Sequence, residues 1–496
     1  MPALCMDGKV PQGQPAIKGS WVQAGALECV TKRATYPLCV ATDVATYTHS
    51  DCVCNEVCAL RGRHQVADLP DPIDQDLIPL NTTLSQHVIH LTRRTRSQVI
   101  QHYPSNRRAV LVRAAASLVH QPIESKDGYI KMFLKDDKYQ STSAFKAPRC
   151  IQYRNKRYCL ELARYLQPIE HHCYGIKDEY DTFIIAKGRN SYQRASDILA
   201  KAHSFHDPVY LCLDHSNFDA HVSRPLLKLE HSFYEKFFPG DTYLPYLLSL
   251  QLNNKGFTKN GTRYFTPGTR MSGDMNTGLG NSVINYAMLQ QWLNDANVPG
   301  SIYVDGDDSV IVISRLHLQT MLQAFGGPQS YFTRFGMRTK SEIAYSYQEA
   351  EFCQSRPVCI LGSWRMCRNP TRVADRTGWT TRKWPARFIK RYIYSLGLCE
   401  LSVGSGVPIH QSVALSLIRR AGQQKYWSRI EEHYIASRER YSGTRAAPRS
   451  IDYQSRLSFE AAWGITPQEQ IRIEAKFNSC KQDNHNGIIR SYLDLL

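Results

Sequence analysis

Apolar positions along this chain fall into short β-branched runs and longer runs with helical spacing. "VYLCL", residues 209–213, is a short apolar run that stops at Asp214. "SIYV" and "SVIVI", residues 301–304 and 309–313, flank the acidic tetrapeptide "DGDD". Runs of this length and composition predict buried strands, and Asp305-Gly306 between two of them predicts a hairpin with a tight turn. That hairpin places Asp307 and Asp308 at its tip, on opposite faces of the ribbon. Spacing near 3.6 residues predicts helices over "RPLLKLEHSFYEKFF", "NSVINYAMLQQWLNDA" from Asn281, "RLHLQTMLQAF", "RKWPARFIKRYIYSLG" and "HQSVALSLIRRAGQ". "LSQHVIHLTRRTRSQVIQHY" also reads as helical, from about Thr83. Closing strands are expected near 343–362. "DLPDPIDQDLIPLNTT", residues 68–83, reads as a linker, and the Gly-rich "SGDMNTGLG", residues 272–280, reads as an irregular loop before a helix.

Composition sharpens this picture. The 496 residues are enough for two or three compact units, and 42% hydrophobic content suits a sizeable core. A formal charge of +17 favours a polyanionic partner, either nucleic acid or an anionic membrane surface. No uninterrupted apolar run is long enough to span a bilayer, and the first twenty residues lack the apolar core of a signal peptide. A reducing compartment follows, so the 15 cysteines are expected to be thiols or metal ligands. "CVCNEVCALRGRH" offers Cys52, Cys54, Cys58 and His64 as zinc ligands, with Cys39 or His49 nearby in sequence. Its C-x-C-x3-C spacing matches no common finger, so buried thiols are the expectation there. "SRERYSGTRAAPRSIDYQSR", residues 437–456, is a basic, turn-rich stretch that reads as a surface loop or as a flexible crossing between two helical pieces, suited to a solvated surface or to RNA contact.

The carboxylates carry the chemistry. Asp214 ends one apolar strand, Asp307 and Asp308 interrupt another, and Asp219 follows Asp214 by five residues. Closely packed carboxylates repel one another and are costly to bury alone. If the two strands lie side by side, Asp214 meets Asp307 at one end of the sheet. Shared Mg2+ or Mn2+ would remove the repulsion and leave room for phosphate oxygens. Two such ions can activate a hydroxyl and stabilise a leaving pyrophosphate. The lysines and arginines from "KMFLKDDKY" to "YRNKRY" sit among aromatic residues, as in a channel that carries phosphates.

At this point the sequence resembles the RNA-dependent RNA polymerases of positive-strand RNA viruses, in the tombusvirus and carmovirus group. Asp214 and Asp219 match motif A, and "SGDMNTGLGNSVIN" matches motif B through Ser272, Gly273, Thr277 and Asn281. "GDD" at 306–308 matches motif C. "FGMRTK" resembles motif D and offers Lys340, and "EFCQSRPV" resembles the primer-gripping motif E. The fingertip motif F falls on Lys135, Lys138, Lys146, Arg149 and Arg154. The resemblance implies an α+β right hand of fingers, palm and thumb, with an antiparallel palm sheet on helices. It implies fingers at 95–205 and 254–280, palm at 206–253 and 281–369, and thumb at 370–496, with 1–94 an extension of unplaced role.

The resemblance further implies RNA synthesis from ribonucleoside triphosphates on a viral RNA template. Asp214 and Asp307 would be the main metal ligands, with Asp308 an accessory one. Lys340 would donate a proton to pyrophosphate. Asp219, Thr277 and Asn281 would sense the ribose, and the fingertip cations would neutralise the triphosphate. A companion viral replicase protein and a membrane-bound complex in the host cytoplasm are the implied partners and place. A reverse transcriptase shares the palm, but its hairpin usually reads aromatic-x-D-D and its motif A lacks an Asp at the place of Asp219. A basic RNA-binding scaffold on a dead polymerase fold is the non-enzymatic alternative, and the intact Asp214, Asp307 and Asp308 weigh against it.

Overall fold

The computed structural model describes residues 16–25, 32–38, 45–422 and 429–479, and shows a mixed helix and sheet protein. In chain order the elements that matter for the site begin with β1 (Trp21–Gln23), α1 (Asp74–Ser85), β2 (Ile130–Leu134) and β3 (Cys150–Tyr153). They continue with α2 (Lys156–Cys173), α3 (Ser191–His203), β4 (Pro208–His215) and α4 (Arg224–Lys236). The hairpin of β5 (Asn253–Thr258) and β6 (Arg263–Pro267) precedes α5 (Thr277–Ala296). Next come β7 (Gly300–Asp305), β8 (Asp308–Ser314), β9 (Thr339–Ala344), β10 (Ser355–Ile360) and β11 (Ser363–Arg368). Beyond residue 370 helices dominate, including α6 (Ala386–Gly404) and α7 (His410–Ala421), which pack on each other.

The central sheet has the order β7-β8-β4-β9 and is antiparallel throughout. Strands β7, β8 and β4 read as continuous apolar runs because both their faces are covered, whereas the edge strand β9 exposes Lys340 and Glu342. Val209, Leu211, Leu213, Ile311 and Ile313 face one core, which includes Leu226 and Leu227 of α4 and Val283 and Ile284 of α5. Tyr210, Tyr303, Val310 and Val312 face the other, against Ala195, Ile198 and Ala202 of α3. Alternate residues therefore serve opposite cores, and a polar face never interrupts the run.

A second sheet has the order β1-β6-β5-β2-β3, with only the β5–β2 pair parallel. It joins three distant stretches of chain. The N-terminal segment is built into this body: β1 pairs with β6, and the Gln65 amide donates to the Phe265 carbonyl and to Thr266 Oγ1, each at 3.0 Å. Glu56 accepts from Thr258 at 2.8 Å and Thr262 at 2.6 Å.

Three expectations need correction. The stretch read as a linker contains α1. Asp76 Oδ2 accepts from the Ile73 N–H at 3.3 Å to start the helix, and Leu80 and Leu84 are buried. Pro79 removes one ladder hydrogen bond, a loss offset by packing α1 against α4 and α5. The helix expected from Thr83 is not continuous: α1 ends at Ser85, and a helix resumes over Arg96–His102. Between them Leu91 and Arg94 donate their N–H groups to the carbonyls of Phe237 and Arg164, at 2.9 and 2.8 Å. Helix α5 begins at Thr277, four residues before Asn281, and takes in the Gly-Leu-Gly that read as loop.

Cys52 precedes, and Cys54 and Cys58 lie on, the short helix Val53–Ala59. His64 is buried and meets Thr269 Oγ1 at 3.3 Å. Cys39 lies outside the described residues. Residues 443–452 cross between helices Arg429–Ser442 and Tyr453–Trp463, as expected, and are tied down where Gln411 bonds the Arg449 backbone at 2.8 and 2.9 Å.

Candidate active site

The register of the central sheet puts the acidic residues together. Asp305 pairs with Asp308, so Gly306 and Asp307 form a two-residue turn. Gly306 has φ +72°, a value that a first turn residue needs and glycine adopts without strain. Asp308 pairs with Asp214 across β8 and β4, and Lys340 pairs with Asp214 from the other side, on β9. Asp214 thus sits between a carboxylate and an ammonium.

Helix α5 holds the turn. Asn285 Nδ2 donates to the carbonyls of Gly306 and Asp307, at 3.0 and 3.2 Å, and the Gly306 N–H donates to Ser282 Oγ at 2.8 Å. His215 Nε2 donates to Asn285 Oδ1 at 3.1 Å, and its Nδ1 accepts from Thr339 at 2.8 Å. Burial lowers the His215 pKa to about 4, so the ring is neutral and keeps that polarity at pH 7.

Beside this turn is a cavity of about 400 Å³. Its walls include Asp214, Asp219, Asp307, Ser272, Lys135 and Arg149. Burial, and then the charges of Asp214 and Asp305, raise the Asp307 pKa, against a hydrogen bond from its own backbone N–H and the weaker pull of Lys187. Burial and the charges of Asp307, Asp214 and Asp305 raise that of Asp308 to about 7. Burial raises Asp219 to about 6. Also lining the cavity, Arg149 makes a two-pronged ion pair with Asp137, at 2.6 and 2.9 Å, with Lys135 4.0 Å from the same carboxylate.

Among the described residues no three His, Cys, Asp or Glu side chains close around a common point as a ready-made metal cage. The donor set nevertheless suits Mg2+ or Mn2+. Hard carboxylate oxygens converge on an open cavity, raise one another's pKa, and leave positions for water or phosphate.

The motif B loop abuts β3. Gly273 N–H donates to the Gln152 carbonyl at 2.8 Å, and a Cβ on Gly273 would come within 2.5 Å of that oxygen, so no side chain fits. Ser272 Oγ donates to the Cys150 carbonyl at 3.0 Å, and Thr277 Oγ1 donates to the Met271 carbonyl at 2.8 Å, closing the loop onto the start of α5. Asn281 Nδ2 donates to Asp219 Oδ1 at 2.8 Å, which joins the two residues that the resemblance assigned to the ribose.

Other residues lie elsewhere than expected. Arg154 is fully buried, away from the cavity wall. It grips Asp274 at 2.6 and 3.0 Å, Asn254 at 2.6 Å, and the carbonyls of Gly128 and Leu250 at 2.6 and 2.9 Å. Its donors are consumed by the fold, and in this arrangement it cannot meet a triphosphate. Lys138 Nζ donates to the carbonyls of Arg376 and Trp379, the latter at 2.7 Å. Lys146 is exposed and off the cavity wall, and Lys340 is exposed on β9. Asp308, Gly273, Thr277 and Asn281 are not on the wall either, though Asn281 bonds Asp219, which is.

Sequence reasoning missed Arg63, and it considered His64 only as a zinc ligand; both line the cavity. It also missed Lys187 and Arg194, which hold Asp305, the latter at 2.5 Å. "RGRH" and "AKGRN" carry no spacing that marks them. Their place comes from contacts distant in sequence: Arg63 bonds the Ala147 carbonyl, His64 meets Thr269, and Lys187 and Arg194 reach Asp305.

The profile of the family described as viral RNA dependent RNA polymerase matches residues 24–484. The chain belongs to the viral RNA-dependent RNA polymerase family. It is 33% identical to the RNA-directed RNA polymerase of Carnation mottle virus over 406 residues, 80% of this chain and 52% of the relative. Against the RNA-directed RNA polymerase of Tobacco necrosis virus (strain A) it is 31% identical over 437 residues, 85% of this chain and 59% of the relative. Against that of Melon necrotic spot virus the identity is 32% over 391 residues, 77% and 49% of the two chains. The chain thus spans about half the length of the curated relatives it matches.

Proposed function

We propose that this chain is an RNA-directed RNA polymerase that replicates a positive-strand viral RNA genome by nucleotidyl transfer. The observation that carries the reading is the convergence of Asp214 and Asp307 on one cavity that Arg63, Lys135 and Arg149 also line. In this reading the central sheet with α4 and α5 is the palm. The second sheet and its surroundings are the fingers, and the helices after residue 370 are the thumb.

The growing strand's 3′-hydroxyl attacks the α-phosphate of the incoming nucleotide, and pyrophosphate departs. Asp214 and Asp307 would hold Mg2+, or Mn2+, with Asp308 behind them as an accessory carboxylate. When bound, such ions lower the pKa of the attacking hydroxyl and offset charge on the phosphates. Lys135 and Arg149 line the same cavity and neutralise the triphosphate. Arg63 adds a third cation to that lining. Lys340, one strand over from Asp214, donates a proton to the leaving group. Asp219 and Asn281 read the ribose 2′-hydroxyl, and Ser272, Gly273 and Thr277 form the loop that follows the nascent pair.

RNA template, RNA product and ribonucleoside triphosphates are the partners in this reading. A companion viral protein that recruits the chain to intracellular membranes of the host cytoplasm belongs to the same proposal. No described helix is long and apolar enough to cross a membrane. The test is incorporation of labelled ribonucleotides by the purified chain on an RNA template. The reading expects template-dependent product with Mg2+ or Mn2+ and none after chelation. Equal incorporation with and without a divalent cation would refute it.

A further inference from the structure

Arg270 stands two residues before Ser272 and has no part in the chemistry described so far. Its side chain and that of Glu230, on α4, are both 0% exposed, and the two form an ion pair. A buried pair of this kind is costly to desolvate and adds little net stability. Its connections show what it orders. Arg270 Nε donates to Asn281 Oδ1 at 3.0 Å while Nη2 donates to Glu230 Oε2. The Arg270 backbone N–H donates to the Asp219 carbonyl at 2.9 Å. Glu230 is itself held, accepting from Asn276 Nδ2 at 2.7 Å. Gly280 leaves the space: a Cβ there would lie 2.2 Å from Glu230 Oε1 and 2.5 Å from Arg270 Nη2. Helix α5 therefore has no side chain where the ion pair sits.

The arrangement has a direction. A guanidinium only donates, so it meets the oxygen end of the Asn281 amide and fixes the nitrogen end toward Asp219. The amide nitrogen carries two hydrogens. One is held by Asp219 and the other remains for a hydroxyl. With the amide turned end for end, its oxygen would oppose the Asp219 carboxylate and neither group would be set to hold a sugar.

We infer that Arg270, anchored by Glu230, is a positioning residue for sugar selection: it orients the Asn281 amide so that Asn281 and Asp219 together recognise the 2′-hydroxyl of the incoming nucleotide. The inference rests on the polymerase reading of Asp219 and Asn281. A site built to bond a hydroxyl rejects the analogue lacking it because its own polar groups are left unpaired. An Asn281 free to rotate loses that penalty.

The experiment measures kcat/KM for matched ribo- and deoxyribonucleoside triphosphates on one RNA template. Arg270→Lys keeps a positive charge beside Glu230 but replaces a fork that reaches two acceptors with a point charge. It should lower the ribo-to-deoxy ratio by about tenfold, the discrimination that one hydrogen bond supplies, with the loss on the ribonucleotide side. Asn281→Ala should lower the ratio as well, and the double variant should fall no further than Asn281→Ala alone. Should Arg270→Lys fail to fold, the paired Arg270→Met/Glu230→Met change removes both charges and should show the same drop. Equal losses on the two sugars, with the ratio intact while Asn281→Ala lowers it, would overturn the role of Arg270. A wild-type ratio in Asn281→Ala would instead overturn the sugar-reading assignment itself, and the role of Arg270 with it.

Discussion

Asp219 offers a residue whose ionisation can be followed. Its pKa is raised from the usual 3.8 to about 6, first by burial and then by the nearby Asp307 charge, against the hydrogen bond from Asn281. A raised carboxyl pKa means that the unfolded chain ionises first as pH rises. The group's contribution to stability is therefore full below pH 3.8 and is lost as pH climbs through about 6. The gap corresponds to about 3 kcal/mol. Between pH 4 and pH 7 the metal-free wild type should lose stability relative to Asp219→Asn, read as a drift in the difference between their thermal midpoints. Parallel pH profiles would show that Asp219 is not buried as described. The pairing of Asp219 with Asn281 at the ribose was legible through the motif resemblance and not through local spacing, because α4 and the β5–β6 hairpin lie between them in the chain. Arg154 was not. Its acceptors come from residues 128, 250, 254 and 274, and no local pattern says that such a residue is buried.

Elements separate the two fingertip arginines. Arg149 and Arg154 flank one strand, β3, yet Arg149 is half exposed beside the cavity while Arg154 pairs with Asp274 inside the protein. Arg154→Ala leaves the Asp274 charge buried without its partner, a cost of about 3–5 kcal/mol. It should lower the thermal midpoint strongly or prevent folding. Arg149→Ala should move the midpoint by no more than about 2 °C and raise KM for nucleotides. If both variants melt like wild type and differ only in nucleotide use, the burial of Arg154 is wrong. Strands β4, β7 and β8 were legible because burial on both faces leaves an unbroken apolar run. Helix α1 was hidden by Pro70, Pro72 and Pro79, whose local preference yields to the burial of Leu80 and Leu84. The start of α5 was hidden by Gly278 and Gly280, which read as loop residues. Gly280 is in the helix because the Arg270–Glu230 pair needs its space.

At the scale of the whole molecule, the order of the motifs and the +17 charge were legible from the chain, and the place of the N-terminal segment was not. That segment joins the second sheet through β1, seals it through Glu56 and Gln65, and brings Arg63 and His64 to the cavity. Its partners lie about two hundred residues away in sequence, beyond the reach of any periodic signal. Deleting residues 1–94 should therefore leave a chain that is insoluble or lacks a cooperative thermal transition. A well-folded truncated protein with full nucleotide incorporation would show the segment to be dispensable.

The central claim is that Asp214 and Asp307 together form the reaction centre. Its most direct test is ribonucleotide incorporation by Asp214→Ala and Asp307→Ala, at ordinary Mg2+ concentration, beside their thermal midpoints. Each variant should lose incorporation entirely, with a metal-free midpoint equal to or above that of wild type, because a repelling carboxylate is gone. Incorporation near the wild-type rate by both variants would contradict the account.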